Sequence, residues 1–343
     1  MGKYDRYMAV KAEEEREGEQ YLGADDPHFH LEGFAFRSAG EPFHRMKISE
    51  KLPPGVQTYA RQSSGGVLCF RTDSAQIRIR TRVRVVNNSA DIMCYGRIGF
   101  DLYKDGRFHG LSRLNFDEVG FPVHSYTTTL QTEGDGAMHS YRLHFPLYAE
   151  VEEFGIALSD GARCEPESTG IDPRPILLYG TSIEQGCCAS RPGTAVGNLL
   201  SRKLGMPLLN FGFSGSGQGE SIVAEELAKV QNPRIYVLAY DANVSPEKLE
   251  QTLPEFCRIL HSTHPETPIL SVSHLRIPNE DPASEWRTRR TEAHRKTGFH
   301  FLDGLRILGD EWSDSYTDLV HPNDLGMKLY ADALAQTIGE ILK

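Results

Sequence analysis

The stretch Ile176-Leu-Leu-Tyr-Gly180-Thr-Ser182-Ile-Glu-Gln-Gly186 holds four apolar residues that run unbroken into Gly-Thr-Ser, with a second glycine four residues after the serine. A short, continuous apolar run bounded by turn residues predicts a buried strand of a parallel sheet, because such strands are covered on both faces. In open α/β sheets, ligands sit in the crevice beyond the carboxyl ends of the strands. Ser182 therefore falls at the mouth of such a crevice. Turns of this kind are common after strands, so the serine gains meaning only from what the later strand ends supply.

Downstream, buried-strand patterns at 176–179, 207–211, 234–240, 268–273 and 299–302 alternate with helical stretches near 193–204, 219–230, 246–264, 283–297 and 324–342. That alternation predicts a parallel sheet with helices on both faces. Asn323 or Asp324 caps the last helix, whose Leu325, Leu329, Leu334, Ile338 and Leu342 keep close to a 3.6-residue period.

Upstream, the signals are β. Gln76 to Val85 alternates strictly, with Ile77, Ile79, Thr81, Val83 and Val85 on one side and Arg78, Arg80, Arg82 and Arg84 on the other. The arginine face reads as a solvated or salt-bridged surface, against an alternative in which it binds phosphate or polysaccharide. Asp105-Gly106 and Gly134-Asp-Gly136 mark turns between further short strands, including Tyr126–Leu130, Tyr141–Phe145 and Phe154–Leu158. His28 and His30 share a face if extended, without a third metal ligand in view. The chain thus divides into a polar lead at 1–20, a β-sandwich at 21–160, a Pro- and Gly-rich linker at 161–174, and an α/β domain at 175–343.

A length of 343 residues, 39% hydrophobic and 24% charged content suit a two-domain globular protein. The formal net charge of -10 argues against nucleic acid or an anionic membrane as a partner. The start of the chain is charged and lacks an apolar signal core, and no apolar run is long enough to span a bilayer. The six cysteines have no Cys-x-x-Cys spacing, so a reduced, cytoplasmic setting is expected.

Three other strand or helix ends carry chemistry-bearing residues. After the second strand comes Asn210-Phe-Gly-Phe-Ser-Gly215-Ser-Gly-Gln-Gly219. Its glycine spacing fails the dinucleotide fingerprint and it lacks a Gly-Lys-Ser/Thr, which leaves a turn whose N–H groups can face the crevice. Asn243 follows the third strand as an amide donor or a plain turn residue. Asp318-Leu-Val-His321 precedes the last helix, and a carboxylate three residues before an imidazole can orient it as a base. An α/β-hydrolase elbow needs glycine two residues after the serine, where this chain has Glu184.

Ser182, the 210–215 loop, Asn243 and Asp318-x-x-His321 resemble the four blocks of the SGNH (GDSL-type) hydrolases, which supply Ser, Gly, Asn and His in this order. Gly99-Phe-Asp101-Leu-Tyr103 resembles the Gly-x-Asp-Leu-Tyr motif of a bacterial branch with an N-terminal β-domain, so the likeness spans about residues 20 to 343. The resemblance implies a flavodoxin-like, three-layer α/β/α hydrolase domain with a parallel sheet behind a jelly-roll-like β-sandwich. Carried over, Ser182 is the nucleophile, His321 the general base and Asp318 its orienter. Ser182, Gly215 and Asn243 form the oxyanion hole. Two positions depart: Thr181 replaces the usual Asp, and the third block reads Asp241-Ala-Asn243-Val244 rather than Gly-x-Asn-Asp.

The resulting expectation is a serine esterase removing a short acyl group, foremost acetyl, from a carbohydrate or similar polar substrate. It needs no cofactor and no metal. Substrate contacts are expected from Glu184, Gln185, Arg191, His274 and Trp312. The expected partner is a small-molecule or oligosaccharide ester, and the oligomeric state, homo-oligomer included, is left open. The alternatives are a non-catalytic carbohydrate-binding or scaffold protein, and a longer-chain lipase or lysophospholipase.

Overall fold

The computed structural model describes residues 18–86, 89–114, 123–131, 134–168, 170–278, 280–308 and 313–343. Most of the polar lead and Trp312 lie outside these residues. The N-terminal part runs through β1 (His30–Glu32), α1 (Pro54–Ala60), β2 (Val67–Thr72), β3 (Gln76–Val85), α2 (Cys94–Ile98) and β4 (Asp101–Lys104). It continues with β5 (Arg107–Leu111), β6 (Val123–Gln131), β7 (His139–His144), β8 (Ala149–Leu158) and β9 (Cys164–Pro166). These strands form two antiparallel sheets, one in the order β1-β2-β7-β4-β5 with β9 also on β2, the other β6-β3-β8. Leu68, Phe70, Leu102 and Leu143 of the first sheet share one buried cluster with Ile77, Ile79, Val83 and Ile156 of the second. Strand β9 lies inside the segment that composition alone assigns to a linker.

Strand β3 keeps its alternation. Arg78 is buried against Glu19, Arg82 and Arg84 both reach Glu152, and the Arg80 guanidinium lies 4.4 Å from the centre of the Tyr21 ring. The arginine face is thus engaged by the protein's own carboxylates and a tyrosine. The Asp105-Gly106 turn joins β4 to β5, with both residues in the left-handed region (φ 48° and 77°) that a tight hairpin requires.

The C-terminal part alternates as the periodicity predicts: β10 (Ile176–Gly180), α3 (Ser182–Gln185), α4 (Val196–Leu204), β11 (Leu208–Gly212), α5 (Ser221–Leu227) and β12 (Ile235–Ala239). It ends with α6 (Pro246–Thr263), β13 (Ile269–Val272), α7 (Glu285–Lys296), β14 (His300–Leu302) and α8 (Asp324–Ile341). The sheet is parallel, in the order β11-β10-β12-β13-β14, the flavodoxin-like arrangement. Alternate residues of β10 face opposite layers: Leu177 and Tyr179 pack with α5 and α6, Ile176 and Leu178 with α4 and α8. Among the described residues no helix is long and apolar enough to cross a membrane.

Two of the contacts that join the N-terminal part to the α/β part are extensive. Met46, Leu52, Val56 and Ala60 belong to the same buried cluster as Leu177, Tyr179, Leu209 and Phe211. Beside them the buried Arg45 donates to the carbonyls of Asn210 (3.0 Å), Gly212 (2.7 Å), Tyr59 (2.6 Å) and Gln62 (2.9 Å). The second contact centres on Asp101, which is fully buried at the start of β4. Its Oδ2 accepts from Arg191 Nη1 (2.5 Å) and from the backbone N–H of Gly193 (2.8 Å), while Tyr103 receives a second Arg191 hydrogen bond (2.9 Å).

Removing one member of a buried ion pair leaves the other charge desolvated and uncompensated, at a cost of about 3–5 kcal/mol. Asp101→Ala should therefore lower unfolding stability by roughly that amount, read from the shift of a urea denaturation midpoint at constant slope. A midpoint that does not move removes this role from the pair.

Candidate active site

Strand β10 ends at Gly180, where any Cβ would lie 2.4 Å from Glu184 Oε2, so the chain can turn sharply under its own helix. Thr181 then caps α3. Its hydroxyl accepts from the Ile183 N–H, and the Glu184 carboxylate reaches back to the Thr181 N–H (2.7 Å) and hydroxyl (2.8 Å). This reciprocal capping box fixes the first turn, and Ser182 is its first helical residue.

Facing it is His321, whose Nε2 stands 2.9 Å from Ser182 Oγ. The other ring nitrogen, Nδ1, stands 2.8 Å from Asp318 Oδ2. The second carboxylate oxygen of Asp318 accepts the backbone N–H groups of His321 (2.6 Å) and Val320 (2.7 Å). Partial burial disfavours ionisation of Asp318, but the His321 ring and these two N–H groups outweigh it and hold the carboxyl below its ordinary value. The loop is pinned at both ends by a bridge between Tyr316 and Pro322 and by the Asn323 N–H to Ser315 O bond (2.9 Å). Asn323, rather than Asp324, caps α8. Asp324 instead holds Ser190, accepting its N–H (2.9 Å) and hydroxyl (2.5 Å).

The glycine-rich turn after β11 approaches the same strand end. A Cβ on Gly217 would lie 2.1 Å from Gly180 O, and one on Gly212 would lie 2.2 Å from Gln185 N. Gly215 is exposed, with a left-handed φ of 62°. The Asn243 amide nitrogen donates to Gly217 O (3.0 Å) and more distantly to Phe213 O (3.4 Å), and so braces this turn. The structure thus brings together a hydroxyl, an imidazole and a carboxylate in relay at the carboxyl end of a parallel sheet. It places a glycine turn and an amide beside them.

Residues 173–339 match the GDSL-like lipase/acylhydrolase family, and residues 19–164 match the GxDLY N-terminus of SGNH-type esterases. The chain belongs to the SGNH-type, GDSL-like hydrolases. It is a carboxylic ester hydrolase. A Bacteroides ovatus protein described as a GDSL-like lipase is 29% identical, with a TM-score of 0.81 over 94% of this chain and 98% of that one. The salicylyl-acyltransferase SsfX3 from a tetracycline biosynthetic pathway is 19% identical, with a TM-score of 0.77 over 95% and 98% of the two chains. A family two carbohydrate esterase from Cellvibrio japonicus is 14% identical, with a TM-score of 0.59 over 94% and 98%. Among curated proteins, none matches the sequence.

Within this SGNH frame the unusual third block has a physical reason. Asp241 is buried, and its side chain accepts from Arg290 and from the His274 N–H (2.8 Å). Arg290 also donates to Asp241 O (2.6 Å) and Val244 O. An acid two residues before Asn243 anchors the turn to α7.

The expected substrate contacts fare differently. The Glu184 carboxylate is turned into the core, held by Thr181 and by the Tyr330 hydroxyl (3.1 Å), and burial raises its pKa. Gln185 is fully buried, accepting from Ser214 N (3.1 Å) and donating to Gln62 Oε1 (2.5 Å). Arg191 is spent on Asp101 and lies 3.8 Å from the Phe108 ring centre. His274 packs edge-on against Trp286 at 5.6 Å, and burial, then Arg287, pulls its pKa down. Glu184, Gln185 and His274 are thus buried and Arg191 half-buried, each held by the protein's own groups. Trp312 lies outside the described residues.

One residue that the sequence reading missed comes from the N-terminal part. Asp91 Oδ2 lies 3.8 Å from His321 Nδ1, so a loop between β3 and α2 reaches the relay. Its signal was only the Ser-Ala-Asp turn after a strand.

Because the nearest atoms facing Gly217 are the backbone carbonyl of Gly180, Gly217→Ala should destabilise the fold by about 1–3 kcal/mol through overpacking. Thermal unfolding checks this, and a neutral substitution would mean that the turn and the end of β10 can move apart freely.

Proposed function

We propose that the protein is a serine esterase that removes short acyl groups, foremost acetyl, from a carbohydrate or similar polar alcohol. The observation that carries the chemistry is the continuous relay from Ser182 Oγ through both His321 nitrogens to Asp318, at 2.9 and 2.8 Å. With Nδ1–H directed at Asp318, Nε2 is left to accept the Ser182 proton as Oγ attacks the ester carbonyl. The same proton then passes to the departing alcohol oxygen, leaving an acyl-serine. Water, deprotonated by His321 in turn, hydrolyses the acyl-serine and restores Ser182. The N–H groups of Ser182 and Gly215 and the Asn243 amide receive the negative charge of each tetrahedral intermediate. For Asn243 this requires its amide to turn from Gly217 O toward the oxyanion.

The polar substrate class rests on analogy of fold with the family two carbohydrate esterase, which is support of a coarser kind. A longer-chain or aryl ester is the second reading, and one observation favours it. Leu319 and Val320, between Asp318 and His321, are 64% and 42% exposed, offering apolar surface next to the relay.

Purified protein should hydrolyse p-nitrophenyl acetate, with Ser182→Ala and His321→Ala near background. Asp318→Asn, which upsets the tautomer of His321, should lower kcat by up to about 10⁴-fold. Asn243→Ala should cost about 10²–10³ in kcat. Wild-type activity no higher than that of Ser182→Ala across acyl chain lengths would defeat the proposal. A rate maximum at acyl chains of about eight carbons or more, or selectivity for aryl over acetyl-sugar esters, would replace the polar short-chain reading with the second one.

A further inference from the structure

Four side chains converge beside the relay, and the proposed hydrolysis uses only one of them. Asp91 Oδ2 lies 3.8 Å from His321 Nδ1 and accepts the Cys187 S–H at 3.3 Å. Cys187 Sγ and Cys188 Sγ lie 3.8 Å apart. One donor atom from each of Asp91, Cys187, Cys188 and His321 stands within 4.8 Å of every other. Both cysteines are buried, and all six in the chain are free thiols.

Adjacent residues in an extended chain point to opposite sides. Here Cys188 adopts a φ of 66°, an uncommon left-handed conformation for a residue other than glycine, and the two neighbouring sulfurs sit close together. Their spacing suits a metal. A tetrahedral zinc with bonds of about 2.3 Å to sulfur has its thiolate ligands about 3.8 Å apart. The Asp91 carboxylate is already oriented, because its other oxygen takes the Ser89 hydroxyl. Two thiolates, a carboxylate and an imidazole make a donor set that selects a thiophilic divalent cation such as Zn²⁺ over Mg²⁺ or Ca²⁺.

We propose that Cys187, Cys188, Asp91 and His321 form a binding site for a thiophilic divalent cation, and that its occupancy shuts off hydrolysis. Binding releases two thiol protons to solvent and forms two sulfur–metal bonds. The Nδ1 lone pair of His321 coordinates the metal in place of the Nδ1–H···Asp318 hydrogen bond. The proton that Nδ1 carried passes to Nε2, where the neutral ring keeps it. Nε2 is then a donor toward Ser182 and no longer accepts its proton. The metal is an inhibitor here, outside the chemistry of the reaction. The inhibitory half of the proposal rests on the role of His321 in the proposed esterase, whereas the binding half does not.

The test uses the full chain, reduced and stripped with chelator, then incubated with Zn²⁺ or Co²⁺ alone and gel-filtered. Wild-type protein is expected to retain one equivalent of zinc and to show a thiolate-to-cobalt charge-transfer band. Its p-nitrophenyl acetate hydrolysis should fall in step with occupancy and recover with EDTA. Cys187→Ser/Cys188→Ser should keep its basal rate, lose the band and resist zinc. Should that variant fail to fold, Asp91→Asn serves in its place and should retain less zinc than wild type. Ser182→Ala should bind zinc and cobalt as wild type does, which separates a failure of this site from a failure of the esterase reading. No retained metal in wild type, or equal retention in the cysteine and Asp91 variants, overturns the site. Stoichiometric binding that leaves hydrolysis untouched overturns the inhibition.

Discussion

The buried carboxylate of Asp101 holds the two halves of this protein in register. It sits in an antiparallel sheet, yet its hydrogen bonds go to Arg191 and Gly193, on the loop that leaves the serine-bearing turn. A carboxylate removed from water must find strong donors, and these donors lie on the opposite half of the chain. The Gly-x-Asp-Leu-Tyr motif is thereby explained in physical terms. Its Asp fixes Arg191 and its Tyr takes a second bond from the same guanidinium, while Arg202 lies 3.9 Å from the centre of that tyrosine ring. Displacing this contact would shift the loop running from Ser182 to α4, and with it Cys187, Cys188 and Ser190.

Arg45 makes another connection between the halves, at the edge strand β11 of the parallel sheet. It donates to the carbonyls on either side of Phe211, at the end of β11 just before the glycine turn. Burial lowers its pKa to about 9, which still leaves the guanidinium charged at neutral pH. The candidate site is consequently braced by two arginine clusters, each spanning the boundary between the β and α/β parts. The catalytic groups proposed here are carried by short turns, and these clusters set where those turns sit.

Much of this architecture is legible in the chain because parallel strands write themselves as unbroken apolar runs, and β3 writes itself as strict alternation. Ser182 and the Asp318–His321 pair, which the structure brings into one hydrogen-bonded line, stand out in the sequence because Gly180 precedes the serine and Pro322 and the Asn323 cap follow the histidine. Glu184, Gln185 and Arg191 after the serine, and His274 after the fourth strand, read as facing solvent because polar residues past a strand end usually do, whereas the structure engages each with the protein's own groups. Of their partners, Arg287 lies 13 positions from His274, while Tyr330, Gln62 and Asp101 are distant in sequence and leave no local trace. Asp91 was hidden for the same reason, being 230 positions from the histidine that it approaches. Strand β9 was hidden because three residues give too little pattern to outweigh the surrounding prolines and glycines.

The packing of Met46, Leu52, Val56 and Ala60 beneath β10 and β11 has a consequence for how such chains can be assembled. A covering layer of the hydrolase sheet is drawn from residues more than a hundred positions before it. The α/β half of this chain therefore depends on the N-terminal half to cover one face of its sheet. Cut away from the N-terminal half, it would present a bare apolar strip and the uncapped carbonyls that Arg45 now occupies. The N-terminal half thereby supplies part of the α/β half's own core rather than sitting beside it as an appendage.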